Sequence, residues 1–368
     1  MLRRMQYLKK RDDYIDIMKG STMGLVVWAH INLPGGDIIN YLHMPLFFLL
    51  SGLFFKPYSS RAFLKRKARG LYLPFLAYEI SFLLLRNLFY GSGMYTSAEW
   101  SWMHPVMTLS YLLTEILHIL LFDNVDELLA TLWFVTVLFL TSICWWWIYR
   151  WFKSTSAKLA LMVFLYSLSC VLKPLLVLEW PYNLHSIAST TLMAIVFYGA
   201  GNLCGEYGII GRVKAYCSNH PLPILELVLF VCLLLFRHMG LQADMRSSTY
   251  SIPLLFWIAS IAGSLFWLMF IYRIYKYCQI HLPVLNTLMD HTGRWSFHFM
   301  ALQFLAMKAF NYVYIKVYDI DWSHLGDFGV VSVAHIGGRC IALLMTMAIC
   351  YLAAKGIHLA RNKVVNFR

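Results

Sequence analysis

Ten runs of roughly 17 to 25 predominantly apolar residues recur along this chain, near 16–33, 41–57, 71–90, 128–150, 159–178, 186–206, 222–238, 251–275, 294–316 and 332–358. A helix rising 1.5 Å per residue needs about 20 such residues to cross roughly 30 Å of hydrocarbon. A soluble domain has no use for so many, and only 13% of the residues are charged while 60% are hydrophobic. The sequence therefore predicts an all-α integral membrane protein, a polytopic bundle of about ten transmembrane helices. The stretch 105–122 is less apolar, follows His104–Pro105 and contains Glu115 and His118. It is predicted to be an interfacial helix. No internal repeat or low-complexity linker divides the chain, so residues 1–368 read as one domain.

The net charge of +13 is not the footprint of a nucleic-acid binder, because the cations crowd into alternate loops. Arg3, Arg4, Lys9, Lys10 and Arg11 precede the first run; Lys56, Arg61, Lys65, Arg66, Lys67 and Arg69 follow the second. Arg150, Lys153 and Lys158, then Arg212 and Lys214, then Arg273 and Lys276 mark later connections, and Lys355, Arg361, Lys363 and Arg368 the tail. Acidic residues occupy the intervening loops: Glu99, Asp123, Asp126, Glu127, Asp319, Asp321 and Asp327. By the positive-inside rule, ten spans with both termini in the cytoplasm satisfy this alternation, and an odd count breaks it. No small-residue cleavage site follows the first run, so it is predicted to be an uncleaved helix. The eight cysteines lack CxxC or metal-like spacing, which predicts neither disulfides nor a metal site. Trp100, Trp102, Trp180, Tyr182 and Trp322 fall near span ends, as interfacial aromatics do, or as rings that stack on sugars.

Charge inside a span costs roughly 2.5–3.5 kcal/mol per group on insertion scales, so polar residues there need a reason. The first span carries Asp16, Lys19 and His30. At 100° per residue, Lys19 and His30 lie about 20° apart and Asp16 about 60° from Lys19, so the three share a face. Lys19 and His30 are separated by roughly 16 Å along the axis, about the reach of an extended phosphopantetheine arm. Snorkelling explains Asp16 and Lys19 equally well. His30 is different, because His43 begins the next span on the same predicted side, and hydroxyl acylation needs a base to take the proton as the alcohol attacks. Glu79 and Arg86 lie seven residues apart in the third span, near one stripe, where either a structural pair through another helix or water or a substrate contact fits them.

These residues carry a resemblance. Arg11-Asp-Asp-Tyr-Ile-Asp16-Ile-Met-Lys19-Gly20, continuing to Val26-Val27-Trp28-Ala29-His30, resembles the opening of the membrane acyltransferase-3 family, bacterial O-acetyltransferases of surface glycans. The family pattern has an arginine, Asp-x-x-Arg/Lys, ten residues and a histidine. His43-Met-Pro-Leu-Phe-Phe-Leu-Leu-Ser51-Gly52 is similar to its second-helix signature. Phe63-Leu-Lys65-Arg66-Lys67-Ala-Arg69 before Pro74, Leu132-Trp133-Phe134, Phe197-Tyr198-Gly199 and Gly293-Arg-Trp-Ser296 match later elements in order. One position departs: where many members have a further histidine, this chain has Gln303, which hydrogen-bonds but shuttles no proton at neutral pH. His298 or His291 would then have to substitute.

The resemblance implies a membrane O-acyltransferase in the bacterial inner membrane, moving acetyl from acetyl-CoA to a hydroxyl of a cell-surface or lipid-linked glycan. It implies His30 as base with Asp16 and His43 assisting, and Lys19, Lys65, Arg66 and Arg69 as contacts to the acyl-CoA donor. Direct attack and an acyl-enzyme step both remain open, as does another short acyl donor. A proton-coupled transporter or flippase of lipid-linked glycans is the alternative from another class, and it predicts broken helices or inverted repeats. A sensor that binds acyl-CoA without turnover is a third reading.

Overall fold

A computed structural model describes residues 12–95, 104–122, 126–175, 184–246 and 249–366. Arg3, Arg4, Lys9, Lys10, Arg11, Glu99, Trp100, Trp102, Asp123, Trp180, Tyr182 and Arg368 lie outside the described residues. The described chain is helical throughout, apart from one ribbon of two short antiparallel strands.

Each predicted span overlaps a helix. In chain order these are α1 (Asp13–His30), α2 (Gly36–Gly52), α3 (Ser60–Lys67), α4 (Leu73–Gly91), α5 (Leu109–Leu120), α6 (Trp133–Trp151), α7 (Thr155–Leu175), α8 (Leu184–Glu206), α9 (Ile209–Asn219) and α10 (Ile224–His238). Strands β1 (Ala243–Asp244) and β2 (Thr249–Tyr250) follow, then α11 (Pro253–His281), α12 (Pro283–Arg294), α13 (Ser296–Tyr318) and α14 (Ile336–Asn366). Five helical stretches are long and apolar enough to cross a membrane on those grounds alone, and a sixth is added if the bent pair α9–α10 counts as one span. Three of the other four predicted spans, α1, α2 and α13, miss that standard for visible reasons. Helix α1 carries Asp13, Asp16 and Lys19, and α2 has 17 residues. Helix α13 contains Gln303, Lys308 and Asn311.

The bundle is drawn together at glycines. A Cβ on Gly20 would collide with the Met289 carbonyl, and one on Gly293 with the Asp16 carbonyl, so α1 and α12 meet backbone to backbone. Gly52 and Gly201 lock α2 to α8 in the same way, against the carbonyls of Tyr198 and Leu49. Small residues allow this approach where lipid supplies no hydrophobic drive between helices. The motif glycines read from the sequence are thus packing positions.

Between α3 and α4 the helix widens into a π-turn over Ala68–Tyr72. Pro74 explains it: the ring has no N–H for the Gly70 carbonyl and crowds that turn, so the backbone loosens just upstream. At the α9–α10 corner, bent by 112°, Arg273 of α11 donates to the carbonyls of His220 and Pro221 and pairs with Glu226.

The acidic residues Asp126 and Glu127, expected in a solvated loop, are instead buried to 1% exposure at the start of a 3-10 turn, Glu127–Leu132. Cations reach them from neighbouring helices. Arg86 of α4 bonds Glu115 of α5 at 2.8 Å and lies 3.6 Å from Asp126, and Lys308 of α13 lies 4.0 Å from Glu127. Glu79 is not the direct partner of Arg86; it accepts the Asp126 N–H at 3.2 Å. Helix α5 has 12 residues and turns Glu115 and Ile119 inward while Leu109, Leu113 and Leu117 face out.

Candidate active site

Helix α1 ends at His30 because the chain turns immediately: Asn32 takes a left-handed φ of 56° and Gly35 one of 88° before α2 begins. The turn is clamped from the far end of the sequence. Arg339 of α14 donates to the Asn32 carbonyl at 2.7 Å. Gly329, at φ 79°, packs so closely on the His30 carbonyl that a Cβ would not fit. Asn311 of α13 holds that loop by donating to the Gly329 carbonyl and accepting the Val331 N–H, at 3.1 and 3.0 Å. The His30 ring meets Phe304 edge-on, with centroids 5.0 Å apart.

His43 lies about two turns into α2. Its Nδ1 is 2.8 Å from the Ile39 carbonyl. A carbonyl has no proton to give, so Nδ1 carries it and the neutral ring keeps its lone pair at Nε2. Both histidines line one cavity of about 250 Å³. Its walls come from α1, α2, the 3-10 turn with the start of α6, the ribbon, and Met300. The Thr131 hydroxyl donates to the Met300 carbonyl at 2.6 Å and closes the floor. A fixed acceptor nitrogen beside a second imidazole, in a partly apolar chamber, is an arrangement that removes a proton from a small polar group.

The other predicted residues sit elsewhere. Asp16 is buried near the opposite end of α1, roughly 21 Å from His30 by helical rise, with the Arg294 Nε at 3.8 Å. Lys19 lies over the Phe54 ring at 4.3 Å. Lys65, Arg66 and Arg69 are exposed on α3 and the π-turn, with Arg66 over Tyr58 at 4.5 Å. Lys67 is turned inward, 5.6 Å from the rings of both Phe63 and Tyr198. Lys19 therefore shares an end of the bundle with α3, the C-terminus of α2 and the C-terminal part of α8, away from the two histidines. Gln303 is fully buried one turn beyond Met300, and its Oε1 has no hydrogen-bond partner among the described residues. His298 accepts or donates a bond with Tyr78 at 2.8 Å, and His291 with Tyr351 at 3.0 Å; neither lines the cavity.

Sequence reasoning missed Asn40, Asp244 and Arg246, which line the cavity with the histidines. One signal existed for Arg246: it is a cation in a loop that the topology puts on the outer side, where the charge rule gives no reason for it. Among the described residues no three of His, Cys, Asp and Glu converge as a metal site would.

A helical membrane protein with a two-histidine chamber at one end and a cluster of cations at the other is the class that fold and site define. The family model for the acyltransferase domain, acyltransferase-3, matches residues 12–355, nearly the whole chain, and the protein belongs to that family. It is a membrane acyltransferase. No curated protein and no solved structure matches the chain.

Proposed function

We propose that the protein transfers an acetyl group from acetyl-CoA to a hydroxyl of a cell-surface or lipid-linked glycan, with His30 as the base. The observation that carries this reading is the shared cavity of His30 and His43, at the other end of α1 and α2 from the cations. The donor's phosphates lie against Lys19, Lys65, Arg66 and Arg69, with Lys67 as a further cation on the inward side. Its thioester reaches the histidine chamber along α1. The acceptor hydroxyl gives its proton to His30 as its oxygen attacks the thioester carbonyl carbon. The C–O bond forms and the C–S bond breaks, and the proton passes from the imidazolium to the leaving thiolate, giving free CoA thiol. His43, with Nε2 held as an acceptor, orients the hydroxyl. Asp16 supports the base indirectly, by fixing α12 against α1 through Arg294.

The same reading takes ten helices as spans in a bacterial inner membrane, with both termini cytoplasmic and α5 lying in the interface. Support comes from the basic loops of the sequence and the outward leucines of α5, which at 12 residues is too short to cross.

The test is free-thiol release by the purified, detergent-solubilised protein, given acetyl-CoA and a panel of glycans, comparing wild type with a folded His30→Ala variant. Wild type releases CoA with an acceptor, and His30→Ala lowers kcat by ~10²- to 10⁴-fold, the usual contribution of a general base. Equal turnover by both proteins removes His30 from the chemistry. Neither turnover nor acetyl-CoA binding by wild type removes the proposed donor altogether.

A further inference from the structure

Two charged side chains in the cavity take no part in the transfer step. Asp244 projects from the ribbon and Arg246 from the turn that follows it: Ala243 and Met245 are buried while Asp244 and Arg246 are exposed at the cavity. The ribbon is a built wall rather than a loose loop. Tyr41 of α2 donates to the Leu241 carbonyl at 2.6 Å, and Thr190 of α8 to the Met245 carbonyl at 3.3 Å. The ladder pairs Ala243 with Tyr250, whose ring stacks on Phe256 at 4.5 Å. Arg237 pairs with Asp37 at 2.6 Å, tying the end of α10 to the start of α2. Asp244 also accepts the Arg246 N–H at 2.9 Å, which fixes the turn carrying both side chains.

The start of α6 contributes Trp133 to the same chamber. Asp244 and Arg246 are two residues apart and line the same chamber, so hydroxyls of one sugar ring can meet both. A carboxylate accepts from two hydroxyls and a guanidinium donates to two, while an indole covers the apolar face of a ring. Neighbouring opposite charges leave little net field, so the wall suits hydroxyls, which both donate and accept, better than an anion. The chamber, at about 250 Å³, falls just below the ~300–1,000 Å³ of drug-sized pockets and holds one ring at a time.

We infer that Asp244, Arg246 and Trp133 form the acceptor-selecting subsite, and that it takes a neutral sugar ring with adjacent free hydroxyls, one of them turned toward His30 and His43. This rests on the acyltransferase reading above and goes beyond it in naming the residues that choose the acceptor.

The experiment uses the full-length protein in detergent, acetyl-CoA, and p-nitrophenyl glucoside, galactoside, N-acetylglucosaminide and glucuronide as probes, with KM for donor and acceptor measured separately. Asp244→Ala and Arg246→Ala are expected to raise the acceptor KM at least about tenfold, the size of one lost hydrogen bond to a charged group, and Arg246→Lys to recover part of it. Donor KM moves less than about twofold, a split that a merely structural defect would not give. Deleting the hydroxyl next to the acylated one weakens the acceptor for wild type and adds nothing in Asp244→Ala. Unchanged acceptor KM in both variants overturns the inference while leaving the acyltransferase intact. So does a wild-type preference for the glucuronide that vanishes in Arg246→Ala, which would make the site one for acidic sugars. Wild type that neither binds acetyl-CoA nor releases thiol sinks the underlying function instead.

Discussion

The two ends of α1 are built on different principles. Around His30 three contacts run through backbone carbonyls: His43 is bonded to that of Ile39, Gly329 is pressed on that of His30, and Arg339 is held to that of Asn32. Around Lys19 the cations lie against aromatic faces, Lys19 on Phe54, Arg66 on Tyr58 and Lys67 between Phe63 and Tyr198. Proton transfer needs its groups placed to a fraction of an ångström, whereas phosphates are held by summed charge and tolerate movement. The contrast predicts that removing a proton-handling group or its buried support at the histidine end acts severely, and that changes at the basic end act in increments.

The largest effect expected from a residue that touches no substrate belongs to Arg86, which holds up the histidine end from behind. Arg86→Met leaves Glu115 and Asp126 buried without their cation, a loss of ~3–5 kcal/mol for a broken buried pair. Thermal unfolding in detergent should fall sharply, and activity with it, because Asp126 begins the 3-10 turn that carries Thr131 and leads into Trp133. Adding Glu115→Gln removes one of the stranded charges and should recover part of the loss. If Arg86→Met unfolds like wild type, the cluster is not what fixes that end, and the contrast drawn here fails.

How much of this was legible in the sequence follows from the range of each signal. His30 and His43 stood out because an imidazole inside an apolar run is conspicuous without any partner. The ten apolar runs announced the helices, but not that Asp126 and Glu127 would be buried, since that depends on Arg86 and Lys308 from distant helices. Helical periodicity led from Arg86 to Glu79, its neighbour on the stripe. The actual partner, Glu115, sits on a separate short helix that periodicity cannot bring near. The ribbon was invisible because two-residue strands carry no alternation to read. Glycines 20, 52 and 293 were visible as motif letters, while the carbonyls they admit came only with the packing.

At the basic end, Lys65→Ala and Arg69→Ala should each raise the acetyl-CoA KM by roughly three- to tenfold with kcat nearly unchanged, and the double variant by about the product. The effects should shrink as salt rises from 50 to 500 mM, as expected for exposed charges on an anionic ligand. A single variant that abolishes kcat would show that end to be as tightly specified as the other.

The smallest effect expected is a pH dependence in the loop that presses on His30. Burial alone pushes the Asp327 carboxyl up, but bonds from the Ser332 N–H, His324 and the Ser332 hydroxyl outweigh it and hold the group below the ordinary carboxylate value. The first two are 2.7 and 2.8 Å long. A carboxyl depressed in the folded protein contributes stability that is fully present above its unfolded pKa of about 3.9 and is lost as pH falls through the folded value. Hydrogen exchange in residues 319–335, corrected for intrinsic rate, should therefore be flat from pH 8 to about pH 5 and rise below about pH 4. Asp327→Asn should give faster exchange at neutral pH and no acid step. Because Gly329 of this loop seats the His30 carbonyl, the variant should also lower kcat modestly, by about two- to fivefold, without changing the KM for acetyl-CoA. Loosening that sets in above pH 5 would take control of the loop away from Asp327, and an unchanged kcat would mean that the carbonyl contact at Gly329 does not set the position of the base.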